Sequence, residues 1–257
     1  MLSVNELKYY TSLKVKKYRQ EERKFFVEGK KQIEEGLKSN WICEIIFHTP
    51  DFGENSKSFL RQVKSKVTRL EEIKTIDFNK LSDTKSPQGI IAVFHQKGFS
   101  PEELIPDKPL VLLENISDPG NLGTILRSCD WFGIKNIILS KDCADIYNPK
   151  VIRSTMGSVF HLNLFQPEDY LSEIRKLKSM GYKILTADTE GTSYKKYKYQ
   201  AKTILVLASE SHGPTEEILN LSDEKITIDR IGNAESLNVA GAAAVLLSEL
   251  SFSLFPS

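Results

Sequence analysis

From Leu110 onward, short apolar runs that suit strands alternate with segments of helical periodicity, and this alternation restricts the fold more than any other feature of the chain. Strand signals fall at Leu110 to Leu113, at Asn136 to Ser140, and near Phe160, Ile184, Leu205 and Ile226, with helices filling the gaps. Strands joined through helices run parallel. The sheet is then covered on both faces and binds its ligands outside the carboxyl ends of its strands. The pattern alone predicts an open, doubly wound α/β sheet. Its first helix, over residues 121 to 132, spaces Leu122, Ile125, Leu126 and Cys129 at i, i+3, i+4 and i+7, so that stripe faces the sheet and Arg127 falls off it.

The first 96 residues form a smaller α/β unit. A helix is expected over residues 5 to 19, a strand at Phe25 to Val27, and a second helix opened by Gly29 with Ile33 and Leu37 one turn apart. A strand at Ile42 to His48, a helix around Phe59 and Val63, and a short strand near Val67 follow. A closing strand, Gly89 to His95, comes after the turn signal Ser86-Pro87-Gln88-Gly89. Gly98, Pro101 and Pro106 then mark residues 97–108 as a linker, since proline restricts itself and its predecessor to extended or turn conformations. The expected organisation is therefore 1–96, linker 97–108, and 109–257.

The longest apolar run, Val239 to Leu247, is too short to span a bilayer, and Met1 is followed by polar and charged positions rather than a signal-peptide core. A cytoplasmic protein with no membrane partner is the expectation. Cys43, Cys129 and Cys143 are odd in number and form no C-x-x-C pair, and the four histidines never fall at metal-ligand spacing, so free thiols and no metal are expected.

Three turns carry polar residues in arrangements that chemistry could use. Asn115-Ile116-Ser117-Asp118-Pro119-Gly120-Asn121-Leu122-Gly123 leads from a strand into the helix bearing Arg127. Ile204 to Leu207 runs into Ala208-Ser209-Glu210-Ser211-His212-Gly213-Pro214, where small residues let the backbone approach a ligand and Gly213 before Pro214 marks a loop entering a helix. Ile226 leads through Ile228 and Gly232 to Glu235-Ser236-Leu237-Asn238 and the nine-residue apolar run, read as a buried helix capped by Ser236. No G-x-G-x-x-G follows the first strand, which argues against a dinucleotide-dependent oxidoreductase.

In this order and separation the three turns resemble the three motifs of the SpoU (TrmH) family of RNA 2′-O-ribose methyltransferases, in the SPOUT superfamily. The matches are N-x-G-x-x-x-R (Asn121, Gly123, Arg127), S-E-x-x-G (Ser209, Glu210, Gly213) and S-L-N (Ser236 to Asn238), and Pro149 to Gly157 looks like the family's segment between motifs one and two. The first unit is similar to the substrate-binding domain of ribosomal-RNA-directed members through Ser12-Leu13-Lys14 to Arg19, Phe26-Val27-Glu28-Gly29 and Pro87-Gln88-Gly89. Two positions depart from the pattern: Ala208 stands where glycine is usual, and Asp229-Arg230 replace the more common proline and methionine.

The resemblance implies a trefoil-knotted, mostly parallel carboxyl-terminal sheet that dimerises through its knot. It further implies S-adenosylmethionine as cofactor, held by Ala208, Ser209, Glu210, Gly213, Ile228, Ser236 and Leu237. Arg127 would be catalytic, Asn121 and Asn238 would orient the catalytic loop or nucleotide, and Glu210 would brace the motif-two turn. The implied substrate is RNA, ribosomal RNA in preference to transfer RNA because of the extra domain. The alternative is a non-catalytic RNA-binding or ribosome-assembly factor of the same fold, suggested by Ala208 and Asp229. Although the net charge is only +1, nine Lys or Arg between Lys8 and Lys31 face only Glu21, Glu22 and Glu28. Lys16, Lys17, Arg19, Arg23 and Lys24, with Arg153, are the expected phosphate contacts; a solvated helix face is the other reading of the same charges.

Overall fold

The computed structural model describes residues 2–98, 104 and 106–254. Residues 99–103 and 105, which fall in the expected linker, lie outside the described residues. The chain begins α1 (Val4–Ser12), α2 (Lys16–Glu22), β1 (Lys24–Glu28), α3 (Lys30–Lys38), β2 (Cys43–His48), α4 (Pro50–Asn55), α5 (Lys57–Lys64), β3 (Arg69–Glu72), α6 (Thr75–Leu81) and β4 (Ile90–His95). It continues β5 (Leu110–Glu114), α7 (Pro119–Trp131), β6 (Asn136–Leu139), α8 (Pro149–Thr155) and β7 (Asn163–Phe165). The last elements are α9 (Tyr170–Ser179), β8 (Lys183–Ser193), β9 (Thr203–Ala208), α10 (Glu216–Leu221), β10 (Glu224–Thr227) and α11 (Val239–Leu254). Two compact units result, 1–97 with 145–160, and 98–144 with 161–257.

The first unit holds a mixed sheet in the order β1-β4-β2-β3, with β4 antiparallel to both neighbours and β2 parallel to β3. One helix expected over residues 5 to 19 is instead two. Leu13 turns fully into the core at the break, and the Arg19 guanidinium donates to the freed carbonyls of Leu13 and Lys14 at 3.0 and 2.7 Å. Because those carbonyls have a partner, the interruption leaves no buried acceptor unsatisfied.

Segment 145–160 belongs to this unit, whereas the sequence reading placed it in the second domain. Aromatic packing draws it there: Tyr147 lies 4.7 Å from Phe25, and Phe160 lies 5.0 Å from Phe94 and 5.4 Å from Trp41, ring centre to ring centre. Gly36 makes room, since a side chain there would come within 2.7 Å of the Phe160 ring. The strand expected near Phe160 is displaced for the same reason. Phe160 sits in a short 3₁₀ turn, and the strand follows as β7.

The second unit is a wholly parallel six-stranded sheet in the order β10-β8-β9-β5-β6-β7. The chain starts in the interior at β5, moves outward through β6 and β7, then crosses to the far side of β5, where β8 forms first and β9 fills the place between β8 and β5. Strands β5 and β9 therefore flank the switch point, where parallel sheets leave a crevice. Leu122, Ile125, Leu126 and Cys129 of α7 are all fully buried, and so is every residue of β5. Among the described residues no helix is long and apolar enough to cross a membrane.

Candidate active site

The loops at the carboxyl ends of β5, β9 and β10 carry the three motifs, and side-chain hydrogen bonds tie them together. Asn115 closes β5 in a left-handed conformation, φ 57°; its N–H donates to Ser140 Oγ at 2.9 Å, and that hydroxyl donates back to Asn115 Oδ1 at 3.0 Å. Asp118 then caps α7, accepting from the Asn121 N–H at 2.7 Å, with Pro119 in the first turn where its missing N–H has no cost. Asn121 is thereby fixed at the helix start. Its Oδ1 accepts from Asn238 Nδ2 at 3.1 Å, and the same amide donates to Glu210 Oε1 at 2.8 Å. Motifs one, two and three thus meet at one amide group.

Glu210 also accepts from the backbone N–H of Val239. Its carboxylate, expected to brace its own turn, instead joins motif two to the start of α11. The N-cap of α11 is Asn238 rather than Ser236: Asn238 Oδ1 accepts from Ala240 N at 3.0 Å and Gly241 N at 3.4 Å, while Ser236 stays exposed. Asn238 therefore caps a helix with its oxygen and links two other motifs with its nitrogen.

The bracing of the motif-two turn falls to Glu114, which the sequence reading passed over. Its side chain is completely buried, Oε1 accepting from Tyr170 Oη at 2.6 Å and Thr215 Oγ1 at 2.7 Å, Oε2 from Thr215 N at 3.0 Å. Burial, followed by the Glu114 carboxylate, raises the Tyr170 phenol well above its usual range, so it remains a donor. A charged residue ending a fully apolar strand was the signal available in the sequence.

Beside these loops lies a cleft of about 980 Å³, lined from β8 by Ala187 to Glu190, from the β9 end by Leu207 to Glu210 with Gly213 and Pro214, and from Ile226 to Ile231 with Gly232 after β10. Ala234 to Leu237, Val239, Ala242 and Leu246 complete the wall. Ala208, Ser209, Glu210, Gly213, Ile228, Ser236 and Leu237 all line it; Asn121, Arg127 and Asn238 do not. The wall from β8 exists because the β8–β10 register shifts between Lys225 and Ile226, and Gly191 lets the strands approach: a Cβ there would sit 2.5 Å from the Lys225 carbonyl oxygen. Gly213, φ 67°, has nothing within 4 Å of where a side chain would begin, which leaves its backbone open to the cleft.

The departures from the family pattern are accommodated. Ala208 ends β9 with no positive φ, so its methyl needs no unusual backbone. Asp229 Oδ2 accepts from Ser193 Oγ at 2.6 Å, and Arg230 donates to Ala234 O at 3.3 Å. Arg127 is exposed and, among the described residues, has no hydrogen-bond or ion-pair partner. Six residues beyond Asn121, it stands roughly 9 Å further along the helix axis.

The expected RNA contacts divide. Arg19 is 2% exposed and its guanidinium pairs with Asp145 at 2.6 Å, so it is a core residue rather than a phosphate ligand. Lys24 pairs with Glu44 at 2.6 Å and donates to Tyr9 Oη at 2.8 Å. Burial works against its charge, but Glu44 and Tyr9 outweigh that and hold the ammonium above the usual lysine range. Both are corrected to structural roles. Lys16, Lys17 and Arg23 are exposed, and Arg153 lies half-buried 3.9 Å from Asp83. The three cysteines are free and buried, and no cluster able to hold a metal occurs among the described residues.

With the geometry in place, comparison with known proteins is decisive. Residues 108–248 match the model of the SpoU rRNA methylase family, and residues 5–92 match the MRM3-like substrate-binding domain. The chain belongs to the SpoU rRNA methylase family. It is 32% identical over 248 residues to the 23S rRNA (guanosine(2553)-2′-O)-methyltransferase RlmP of Bacillus subtilis (strain 168), covering 95% of each chain. A TrmH-family structure from Porphyromonas gingivalis superposes with TM-score 0.84 at 32% identity, over 97% of this chain and 98% of that one. An AdoMet-bound rRNA methyltransferase structure from Sinorhizobium meliloti does so with TM-score 0.84 at 26% identity, over 97% and 96%. The family assignment made from the motifs is thus borne out, as is the α/β class.

Proposed function

We propose that this protein transfers a methyl group from S-adenosylmethionine to a ribose 2′-hydroxyl of RNA, with ribosomal RNA as the substrate. The observation that carries the reading is the Asn238 amide, which joins Asn121 and Glu210 and so assembles three distant motifs beside one cleft. The cleft fits the cofactor. Its volume lies in the range of small-molecule sites. Leu207, Ile226 and Leu246 supply apolar wall, and Asp188, Glu190, Glu210, Asp229 and Glu235 against the single Arg230 suit a ligand bearing sulfonium and ammonium charges. Ala208, Ser209, Glu210, Gly213, Ile228, Ser236 and Leu237 would hold it. When bound, S-adenosylmethionine supplies an electrophilic methyl group.

The chain's own residues must position and activate the ribose. A 2′-hydroxyl is a weak nucleophile at neutral pH and has to shed or share its proton as it attacks. Arg127, without an internal partner among the described residues, is available to grip the adjacent phosphate through its planar fork and to stabilise a developing alkoxide; a guanidinium does not give up its proton readily enough to serve as the base. Asn121 and Asn238 keep the loop in register. The test is transfer of radiolabelled methyl from S-adenosylmethionine to ribosomal RNA, followed by mapping of 2′-O-methyl positions. Cofactor binding without transfer to any RNA would support the non-catalytic alternative.

Two finer points belong to the same reading. We infer the family's trefoil knot, supported by the segment after β10, which leaves the sheet edge and returns to Glu210 and Asn121 at interior strands; tracing that segment in a crystal structure tests it. We infer a homodimer through this unit, supported by Trp131 and Phe252, which stay 82% and 63% exposed at the ends of the packed helices α7 and α11. Light scattering at micromolar concentration tests it, and a fully active monomer would refute it.

A further inference from the structure

The connection from β8 to β9 reads Tyr194-Lys195-Lys196-Tyr197-Lys198-Tyr199-Gln200-Ala201-Lys202, and no acidic residue occurs from Gly191 to Lys202. Four neighbouring lysines of this unit are held by carboxylates: Lys225 by Asp188 at 2.8 Å, Lys183 and Lys178 by Asp223, and Lys202 by Asp107 at 2.9 Å. Lys195, Lys196 and Lys198 are exposed and, among the described residues, their ammonium groups have no ion-pair or hydrogen-bond partner. Only a ring approaches one of them, Tyr194 lying 5.7 Å from Lys195 Nζ. Three such cations within four residues repel one another, and among the described residues of the unit no carboxylate pairs with them to offset that repulsion.

The tyrosines give this connection a shape. Tyr197 and Tyr199 pack edge to face at 5.2 Å, and the Tyr199 hydroxyl donates to the Tyr194 carbonyl at 3.2 Å, which folds the strap onto itself. All three rings are half-buried. The strap also begins at the cleft wall. Tyr194 N donates to Thr227 O at 2.9 Å and the preceding Ser193 holds Asp229, both partners lining the cleft.

We propose that the Tyr194–Tyr199 strap is an RNA-binding surface of the catalytic unit, gripping single-stranded RNA next to the nucleotide to be methylated. The inference rests on the RNA methyltransferase reading above. Lysines spaced along an exposed strap meet successive phosphates, and interleaved aromatic rings stack on unpaired bases, the combination by which single strands are held without sequence readout. An acidic protein would satisfy the lysines but has no use for the rings. Anchoring at the cleft wall places the bound strand beside the cofactor site.

The test uses the full chain and a fluorescein-labelled twelve-nucleotide uridine RNA, followed by anisotropy across a salt series. K195Q/K196Q/K198Q is expected to weaken binding at least about tenfold at low salt and to flatten the log-log salt slope by about two, near 0.7 for each lost contact. Tyr197→Leu should lose about tenfold with the slope kept, since stacking releases no counterions. The triple arginine variant should restore the wild-type slope. Thermal melting and S-adenosylmethionine affinity, expected to be unchanged, establish that the variants fold. Equal affinity and slope in wild type and the glutamine variant would overturn the proposal, even where wild type methylates RNA and the parent reading stands. If wild type methylates no RNA yet the glutamine variant still loses the oligonucleotide, the parent reading fails and the strap survives.

Discussion

In the carboxyl-terminal unit, Asn121, Glu210 and Asn238 follow the ends of parallel strands and meet at the Asn238 amide, while Glu114 reaches Tyr170 and Thr215, all across loops far apart in sequence. In the amino-terminal unit, Arg19 and Lys24 come from a segment just as rich in polar groups, yet they are consumed by Asp145, Glu44 and backbone carbonyls. Topology explains the difference. A parallel sheet gathers its carboxyl-end loops at one edge, so polar residues in those loops converge whatever their sequence separation. In the mixed four-stranded sheet flanked by short helices, Arg19 and Lys24 instead take partners close at hand within the unit. Proximity in sequence is therefore a poor guide to shared function in the first unit, and distance in sequence is no obstacle to it in the second.

The largest expected effect would break the comparison most directly. Arg127→Lys keeps the charge but loses the planar fork, and turnover should fall by at least about a thousandfold, ~4 kcal/mol of barrier, with S-adenosylmethionine affinity within about twofold of wild type. Single-turnover methyl transfer and calorimetric titration measure the two. Near-normal turnover would remove Arg127 from the site and leave the loop cluster without an activating group.

What the sequence disclosed follows the same division. The α7 stripe was legible because four buried positions recur at helical spacing, and the motif residues because they stand at strand-to-helix turns. The double role of Asn238 was not legible, because Ser236 is an equally good cap by composition and only the path of the chain decides between them. Glu114 escaped for a related reason: its partners, Tyr170 and Thr215, lie 56 and 101 residues away. The single helix expected at 5 to 19 failed on tertiary grounds, since burying Leu13 and satisfying two carbonyls with Arg19 outweigh helical continuity. That segment 145–160 packs with the first unit was not legible, because aromatic packing has no periodicity to read.

Next in size is Arg19→Ala, which leaves Asp145 and two carbonyls without their donor in a buried setting. A loss of about 3 kcal/mol of stability is expected from breaking such a pair, visible in urea unfolding, while the fraction that folds should bind RNA nearly as well as wild type. Strong loss of RNA affinity at unchanged stability would show that the core assignment is wrong. Asn238→Ala should cost less, about 1 kcal/mol from the lost cap together with roughly a tenfold drop in kcat/KM as motif two is freed from motif one. If the rate is unaffected, the three-motif junction is only structural.

The smallest effect discriminates most finely within the basic segment. Lys16, Lys17 and Arg23 remain exposed after Arg19 and Lys24 are withdrawn into the fold, so they are the residues left to meet RNA phosphates. Changing all three to glutamine should weaken binding of structured ribosomal RNA by about tenfold at low salt and flatten the salt dependence by roughly one unit of log-log slope per lost contact. Adding Lys24→Gln to the triple variant should lower the melting temperature, because Glu44 and Tyr9 lose their partner, without flattening the slope further. A solvated helix face would behave differently, the triple variant binding as tightly as wild type across the series. A further drop in slope on adding Lys24→Gln would instead return Lys24 to the RNA surface, and would mean that an ion pair in the free protein is exchanged for a phosphate in the complex.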